Sequence, residues 1–139
     1  GRWNEAIEEL EKFRNLTDYT EQHPVLMDCH RALGRWNDVE ALWLELGEAS
    51  PSAALMTEGR IVLAGARADQ DDVPGAIRTL EAGWRLPKRP QEHHLRRAYA
   101  LADLHDRAGK AARARQLFGW IAGHAPRFAD VKSRVKALS

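Results

Sequence analysis

His23, Cys29 and His30 are the residues best suited to metal chemistry, and they fall within eight positions of one another. His23 and His30 are seven residues apart, so they share a helix face but lie two turns apart, and a tetrahedral zinc site needs a fourth ligand. His93 and His94 are adjacent, so a helix points their rings about 100° apart. These spacings favour packing for His23 and His30 and a surface role for His93 and His94. We expect no metal and no cofactor.

No pattern typical of catalysis accompanies these residues. The sequence has no glycine-rich phosphate loop, no nucleophile elbow and no paired-carboxylate signature. Cys29 is the single cysteine, which excludes a disulfide within the chain and fits a reducing compartment. No apolar run approaches the roughly 18 residues of a membrane span. We therefore expect a cytoplasmic protein that is not an enzyme and does not contact the membrane.

Charge is distributed unevenly along the chain, although the net charge is only +1. Residues 1–72 carry 7 Lys/Arg against 15 Asp/Glu, or −8, and residues 73–139 carry 14 against 5, or +9. This asymmetry fits two solvated faces of opposite sign. It also fits head-to-tail self-association or an acidic partner on the C-terminal half.

The basic residues of the second half raise nucleic-acid binding as a further alternative. They are Arg85, Lys88, Arg89, Arg96, Arg97, Lys110, Arg113 and Arg115. The acidic first half would repel phosphates, and the few aromatic residues of the basic half are needed for packing. Nucleic-acid binding is therefore disfavoured.

An internal repeat organises the chain. The tetrapeptide Gly-Arg-Trp-Asn stands at residues 1–4 and again at 34–37, and a period of 33 residues is typical of helix-turn-helix repeats. Apolar residues at helical spacing predict helices over residues 2–14, 23–34, 37–47, 52–69, 73–84, 91–109, 114–121 and 129–138. Asn4 and Asn37 are predicted N-caps, Gly47 a helix end, and Gly59 the position of a break. No segment alternates like a strand.

These residues give the chain a resemblance to the tetratricopeptide repeat (TPR) family over nearly its whole length. The fourth unit fits best, and its matching residues are Ala102, Gly109, Ala114, Phe118 and Pro126. The second unit matches through Gly34, Trp36, Val39 and Trp43, and the third through Ala64, Ala76 and Leu80, with Asp71 in place of the turn glycine. The stretches 29–34 and 58–67 are also similar to an uncharacterised bacterial TPR family.

The resemblance implies an all-α fold, a right-handed α-α superhelix built as a solenoid of antiparallel helix pairs. The implied single array has helix B of a truncated first repeat at residues 1–14, repeats at 21–49, 52–87 and 90–126, and a C-terminal capping helix at 127–139. The helix A paired with 2–14 would then lie upstream. We therefore expect Trp3, Ile7 and Leu10 to lack packing partners, and the chain to be a fragment of a longer array.

In the family, ligands lie in a concave groove lined by the first helix of each pair. The implied groove positions are Glu21, Pro24, Asp28, Arg31 and Ala32, then Glu58, Ile61, Gly65, Ala68 and Asp69, then Arg96, Tyr99, Asp103, Asp106 and Arg107. From these we expect a partner to contact Asp28, Arg31, Arg96, Tyr99, Asp103 and Arg107.

Two roles remain open for the third set of groove positions. Arg96 and Arg107 could each grip a carboxylate while Tyr99 supplies an aromatic platform, or the two arginines could pair with Asp103 and solvate a helix. The groove lacks the lysines and asparagines of chaperone-docking TPR domains, which disfavours that role.

We therefore expect a non-catalytic protein–protein interaction scaffold that binds a protein or peptide, with acidic segments among the candidates. The alternative is a self-assembling structural module that associates through its oppositely charged ends or its unpaired first helix.

Overall fold

The computed structural model describes residues 1–17, 21–49 and 51–139 of the chain, and the side chains of residues 1–12 within the first range. The described residues form eight helices and no strand. They are α1 (Arg2–Thr17), α2 (His23–Ala32), α3 (Trp36–Ala49), α4 (Ala53–Asp69), α5 (Val73–Glu81), α6 (Glu92–Arg107), α7 (Ala111–His124) and α8 (Val131–Ala137). The predicted all-α class is confirmed.

The helices are divided between two compact units, residues Gly1–Gln70 and Asp71–Ser139. The boundary falls inside the segment 52–87 that the sequence assigns to one repeat. In the first unit, α2 packs against α1, α3 and α4, and α3 also packs against α4. The residues at the centre of this packing are Ile7, Leu26, Met27, Cys29, Val39, Leu42, Leu63 and Ala66.

In the second unit, α6 packs against α5 and α7, and α7 packs against α8. The completely buried side chains include Leu101, Leu117, Phe118, Ile121 and Val131. Ala102 and Ala114 are also completely buried, as expected of the small residues where α6 and α7 approach each other. The apolar stripes predicted for these two helices are therefore confirmed.

Three turns share a left-handed backbone conformation. Gly34 follows α2 with φ 70°, Asp71 follows α4 with φ 62°, and Gly109 follows α6 with φ 77°. Glycine adopts this conformation without steric cost, whereas aspartate tolerates it through its short polar side chain. The prediction that Asp71 replaces a turn glycine is confirmed.

The predicted N-caps Asn4 and Asn37 are wrong. Helix α1 begins at Arg2 and α3 at Trp36, so both asparagines lie inside a first turn. The left-handed turn at Gly34 lets α3 start at once, and the carbonyl of Arg35 accepts hydrogen bonds from the backbone N–H groups of Asp38 and Val39, each at 3.2 Å. The side chain of Asn4 instead accepts a hydrogen bond from Nη2 of Arg35 at 2.9 Å.

The predicted effects of Gly47 and Gly59 are also wrong. Helix α3 continues past Gly47 to Ala49, and α4 runs unbroken through Gly59. A Cβ atom at Gly59 would lie 2.5 Å from Cδ2 of Leu46 and 3.4 Å from the ring of Trp43. Gly59 therefore serves the close contact between α3 and α4.

Helix α5 is shorter than predicted, because it ends at Glu81 and leaves Trp84 beyond its last turn. Gly83 adopts φ 69° in the intervening segment. Arg97 of α6 donates to the carbonyls of Leu80 at 2.9 Å and Ala82 at 2.6 Å, which satisfies backbone acceptors at this helix end.

The first helix has packing partners, contrary to expectation. Ile7 is buried in the core of the first unit, and Trp3 and Leu10 are half-buried against it. Helix α1 packs on α2.

Candidate partner-binding surfaces

The face of α2 that the sequence assigns to partner binding carries an arginine held by an internal carboxylate. Nε of Arg31 donates to Oδ2 of Asp69 at 2.6 Å, and Nη2 donates to Oδ1 at 3.3 Å. This two-point hydrogen bond raises the pKa of Arg31. Asp28, which is exposed, lies 3.7 Å from Nη1 of Arg31. The arginine is therefore oriented by α4.

Gly65 makes this arrangement possible. A Cβ atom at Gly65 would collide with the guanidinium of Arg31, so the absence of a side chain lets Arg31 cross α4 and reach Asp69. Arg31, Gly65 and Asp69 are all implied groove positions, but their contact with one another is not evident from the sequence. Two other implied groove positions, Pro24 and Ala68, are buried and cannot contact a partner.

The corresponding face of α6 holds an arginine that comes from α8. Nη2 of Arg134 donates to Oδ1 of Asp103 and to Oδ2 of Asp106, both at 2.9 Å, and Nη1 donates to the hydroxyl of Tyr99 at 3.3 Å. Burial would lower the pKa of Arg134, but the two carboxylates outweigh it and raise the pKa. Asp103 thus has a partner in α8 that sequence reasoning missed.

Aromatic rings complete the contact between α6 and α8. The guanidinium carbon of Arg134 lies 4.5 Å from the ring centroid of Phe118 and 5.9 Å from that of Tyr99. Tyr99 packs edge-on against Phe118 at 5.3 Å, and its hydroxyl donates to Oδ1 of Asp130 at 2.5 Å. Burial and this hydrogen bond raise the pKa of Tyr99. The platform expected at Tyr99 is thus used within the chain.

Arg96 and Arg107, the other two expected contact residues on α6, are both exposed. Arg96 lies in the first half of the helix and Arg107 is its last residue. Among the expected contact residues, Asp28 and Arg31 on α2 and Tyr99 and Asp103 on α6 therefore take part in charged or polar contacts within the chain.

Arg134 could have been found from the sequence by one signal. It follows Val131 by three positions, so both residues lie on one face of a short helix, and Val131 is completely buried. The composition of the segment hides this face, because most of its other residues are polar and exposed.

His23 and His30 are buried, which confirms the packing role predicted for them, and His105 of α6 is also buried. Nδ1 of His30 lies 3.6 Å from Oδ2 of Asp38, and Nε2 of His105 lies 3.0 Å from Oε1 of Glu81. Burial lowers the pKa of His30, and the nearby Asp38 carboxylate opposes that effect. Within the described residues, no group of three or more His, Cys, Asp or Glu side chains is arranged to hold a metal ion.

His93 and His94 are closer than their expected divergence suggests, with ring centroids 4.1 Å apart. Nδ1 of His94 turns back to accept a hydrogen bond from the backbone N–H of Gln91 at 2.9 Å, as part of a capping box. Both side chains are half-buried, so the expected surface role is replaced for His94 by a role in starting α6.

Several of the basic residues have structural roles. Besides capping α5, Arg97 lies over the ring of Trp84 at 5.3 Å. Arg115 donates to the carbonyl of Leu138 at 3.3 Å, and Arg113 donates to Oε1 of Gln116 at 2.8 Å. Arg97, Arg113 and Arg115 therefore have contacts within the chain that explain their presence without nucleic-acid binding.

None of the helices in the described part of the chain is long and apolar enough to cross a membrane.

No protein-family model matches the chain, and no curated protein or solved structure matches it significantly.

Proposed function

We propose that the chain is a TPR-like array that acts as a non-catalytic protein–protein interaction scaffold. In this proposal α2 and α4 in the first unit, and α6 in the second unit, each contribute to a surface that binds a protein or peptide segment. Bacterial origin and a cytoplasmic location belong to the same proposal.

The repeat is supported by equivalent positions with equivalent structure. The left-handed turns at Gly34, Asp71 and Gly109 recur where the repeat requires them, and His30 and His105 occupy matching buried positions on α2 and α6. A helix pair buries only one face and cannot fold alone, so such recurrence is expected of stacked pairs.

The observation that carries the binding function is the use of the same face of α2 and α6 to hold another helix through charged hydrogen bonds. Arg31 of α2 holds Asp69 of α4, and Asp103 of α6 holds Arg134 of α8. Hydrogen bonds between ionised groups are about twice as strong as neutral ones, and arginine–carboxylate pairs fix orientation. Arg96 and Arg107, which are exposed on α6, add two positive charges that suit an acidic segment of the partner.

A pull-down with the full chain tests the proposal. Arg96→Glu/Arg107→Glu should lose the captured partner, because both substitutions reverse the charge offered to its carboxylates. Arg85→Glu/Arg89→Glu is the matched control, since it makes the same charge change at two exposed residues outside α6. Circular dichroism verifies that both variants are folded. An unchanged partner set in the α6 variant would rule out this surface.

Self-assembly through oppositely charged ends is the second candidate. The division of charge follows the boundary between the two compact units: Gly1–Gln70 carries 7 Lys/Arg against 13 Asp/Glu, or −6, and Asp71–Ser139 carries 14 against 7, or +7. Copies of the chain could therefore attract one another through unlike units.

A further inference from the structure

We propose that α8 can be exchanged between two copies of the chain, so that α8 of one copy docks on the α6–α7 face of the other. This interaction is independent of the partner-binding function proposed above. Three features support the exchange: the contacts that hold α8, the segment that joins α8 to α7, and the fit of the α6–α7 face to α8 itself.

The face of α6 and α7 that receives α8 contacts this short helix at its start, middle and end. At the start of α8, Asp130 accepts a hydrogen bond from Tyr99, and Val131 is completely buried. In the middle, Arg134 binds Asp103 and Asp106. At its end, the carbonyl of Leu138 accepts from Arg115 of α7.

Helix α8 depends on this site for its structure. It has seven residues, and isolated helices shorter than about 12–15 residues are marginal in water. Val131 is its one completely buried residue, so little apolar surface opposes its release. Release of α8 therefore exposes one completely buried side chain of the helix and uncovers the α6 carboxylates that Arg134 binds.

The connection to α7 favours opening. Residues 125–130 join the two helices, and Ala129 within this segment adopts φ 46°. A residue with a Cβ atom is strained in that left-handed conformation, and an exchanged arrangement could relax it. Strained hinges of this kind invite domain swapping.

We assign a second copy of the chain to the α6–α7 face, because α8 itself is the helix that the structure shows bound there. Every contact of the closed form can be formed again between copies, since each copy supplies both the helix and the face. The ionic contacts between Arg134 and the α6 carboxylates also make the exchange testable by charge reversal.

Two full-chain variants test the exchange by complementation. Arg134→Glu places a carboxylate against Asp103 and Asp106, and Asp103→Lys/Asp106→Lys places ammonium groups against Arg134, so each variant disfavours its own closed form. At about 0.15 M salt, where the Debye length is about 8 Å and attraction between unlike units is screened, each variant alone should be monomeric in sedimentation velocity. An equimolar mixture should form a 1:1 dimer of doubled mass, because both exchanged contacts then join opposite charges. The triple variant restores attraction within one chain and should sediment like the unmodified protein.

A mixture that stays monomeric while circular dichroism shows both variants folded would overturn the proposal. The unmodified chain gives a second test if either variant fails to fold. It should dimerise with rising concentration, and Ala129→Gly should reduce the dimer fraction, because glycine adopts the left-handed turn without strain. A dimer that is insensitive to both Ala129→Gly and Arg134→Glu would refute exchange of α8. Neither test alters Arg96 or Arg107, so its outcome is separate from that of the pull-down.

Discussion

Gly47 and Gly59 show how the surroundings of a residue determine its role. Both lie inside helices, where glycine is less favourable than alanine by about 1 kcal/mol. No neighbouring atom lies within 4 Å of a Cβ built at Gly47, whereas Gly59 faces Leu46 and Trp43. One glycine is replaceable, and the other is required by packing.

Alanine substitutions should therefore have opposite effects at these two positions. Gly47→Ala should raise the free energy of unfolding by roughly 0.5–1 kcal/mol through helix propensity. Gly59→Ala should lower it by about 1–2 kcal/mol, because the completely buried Leu46 has little room to move and overpacking outweighs the gain in propensity. Urea denaturation measures both. Equal stabilisation by the two substitutions would contradict the close contact between α3 and α4.

His30 should make stability depend on pH near neutrality. Its pKa is lowered in the folded protein by burial, whereas an unfolded histidine titrates near 6.5. Above that pH both states hold a neutral imidazole. As pH falls below it, the unfolded state takes up a proton first, so the free energy of unfolding decreases until the folded pKa is passed.

Urea denaturation at pH 7.5 and pH 5.5 should show this decrease, and His30→Gln should make it smaller. His124→Gln makes the same substitution at an exposed histidine and is the matched control. If His30→Gln has the same pH dependence as the unmodified protein, the proposed effect of burial at His30 is wrong.

At the scale of elements, small residues line the contact between α6 and α7. Ala102 and Ala114 are completely buried where larger side chains would separate the helices, and Phe118 fills space beside them. The small side chains let the two helices approach closely.

Ala114→Trp should lower the melting temperature, because overpacking costs roughly 1–3 kcal/mol and sometimes more. Ala112→Trp is the matched control on the exposed side of α7, where a substitution should change stability by about 0.5 kcal/mol or less. Thermal melts followed by circular dichroism compare the two. Similar melts for both variants would contradict the packing of Ala114.

At the scale of the whole molecule, the charges of −6 and +7 belong to separate compact units. Attraction between unlike units of different copies would be long-ranged at low ionic strength, but the Debye length is only about 10 Å at 0.1 M salt. Salt therefore distinguishes charge-driven association from the exchange of α8, which also buries Val131.

Light scattering should show a larger mean mass at low salt than at high salt if the units attract. Arg134→Glu should leave most of this salt-dependent association in place, because it removes one charge contact among many. A monomer at every salt and protein concentration would exclude self-assembly by unlike charges.

The sequence by itself determined the helical class, the apolar stripes, and the turns at Gly34, Asp71 and Gly109. These features depend on local periodicity and on the few residues that tolerate a left-handed backbone. The resemblance also assigned Arg31, Tyr99 and Asp103 to a partner-binding groove, whereas in the structure they contact other helices of the chain.

Only the tertiary structure decided which groups meet there. Asn4 and Asn37 lost their predicted capping roles because Arg2 and Trp36 already begin the helices, and Gly59 became a contact point because Leu46 lies beside it. The partners Asp69 of Arg31 and Arg134 of Asp103 are 38 and 31 residues away along the chain. Contacts at such separations depend on how helices pack, which the periodicity of any single segment does not specify.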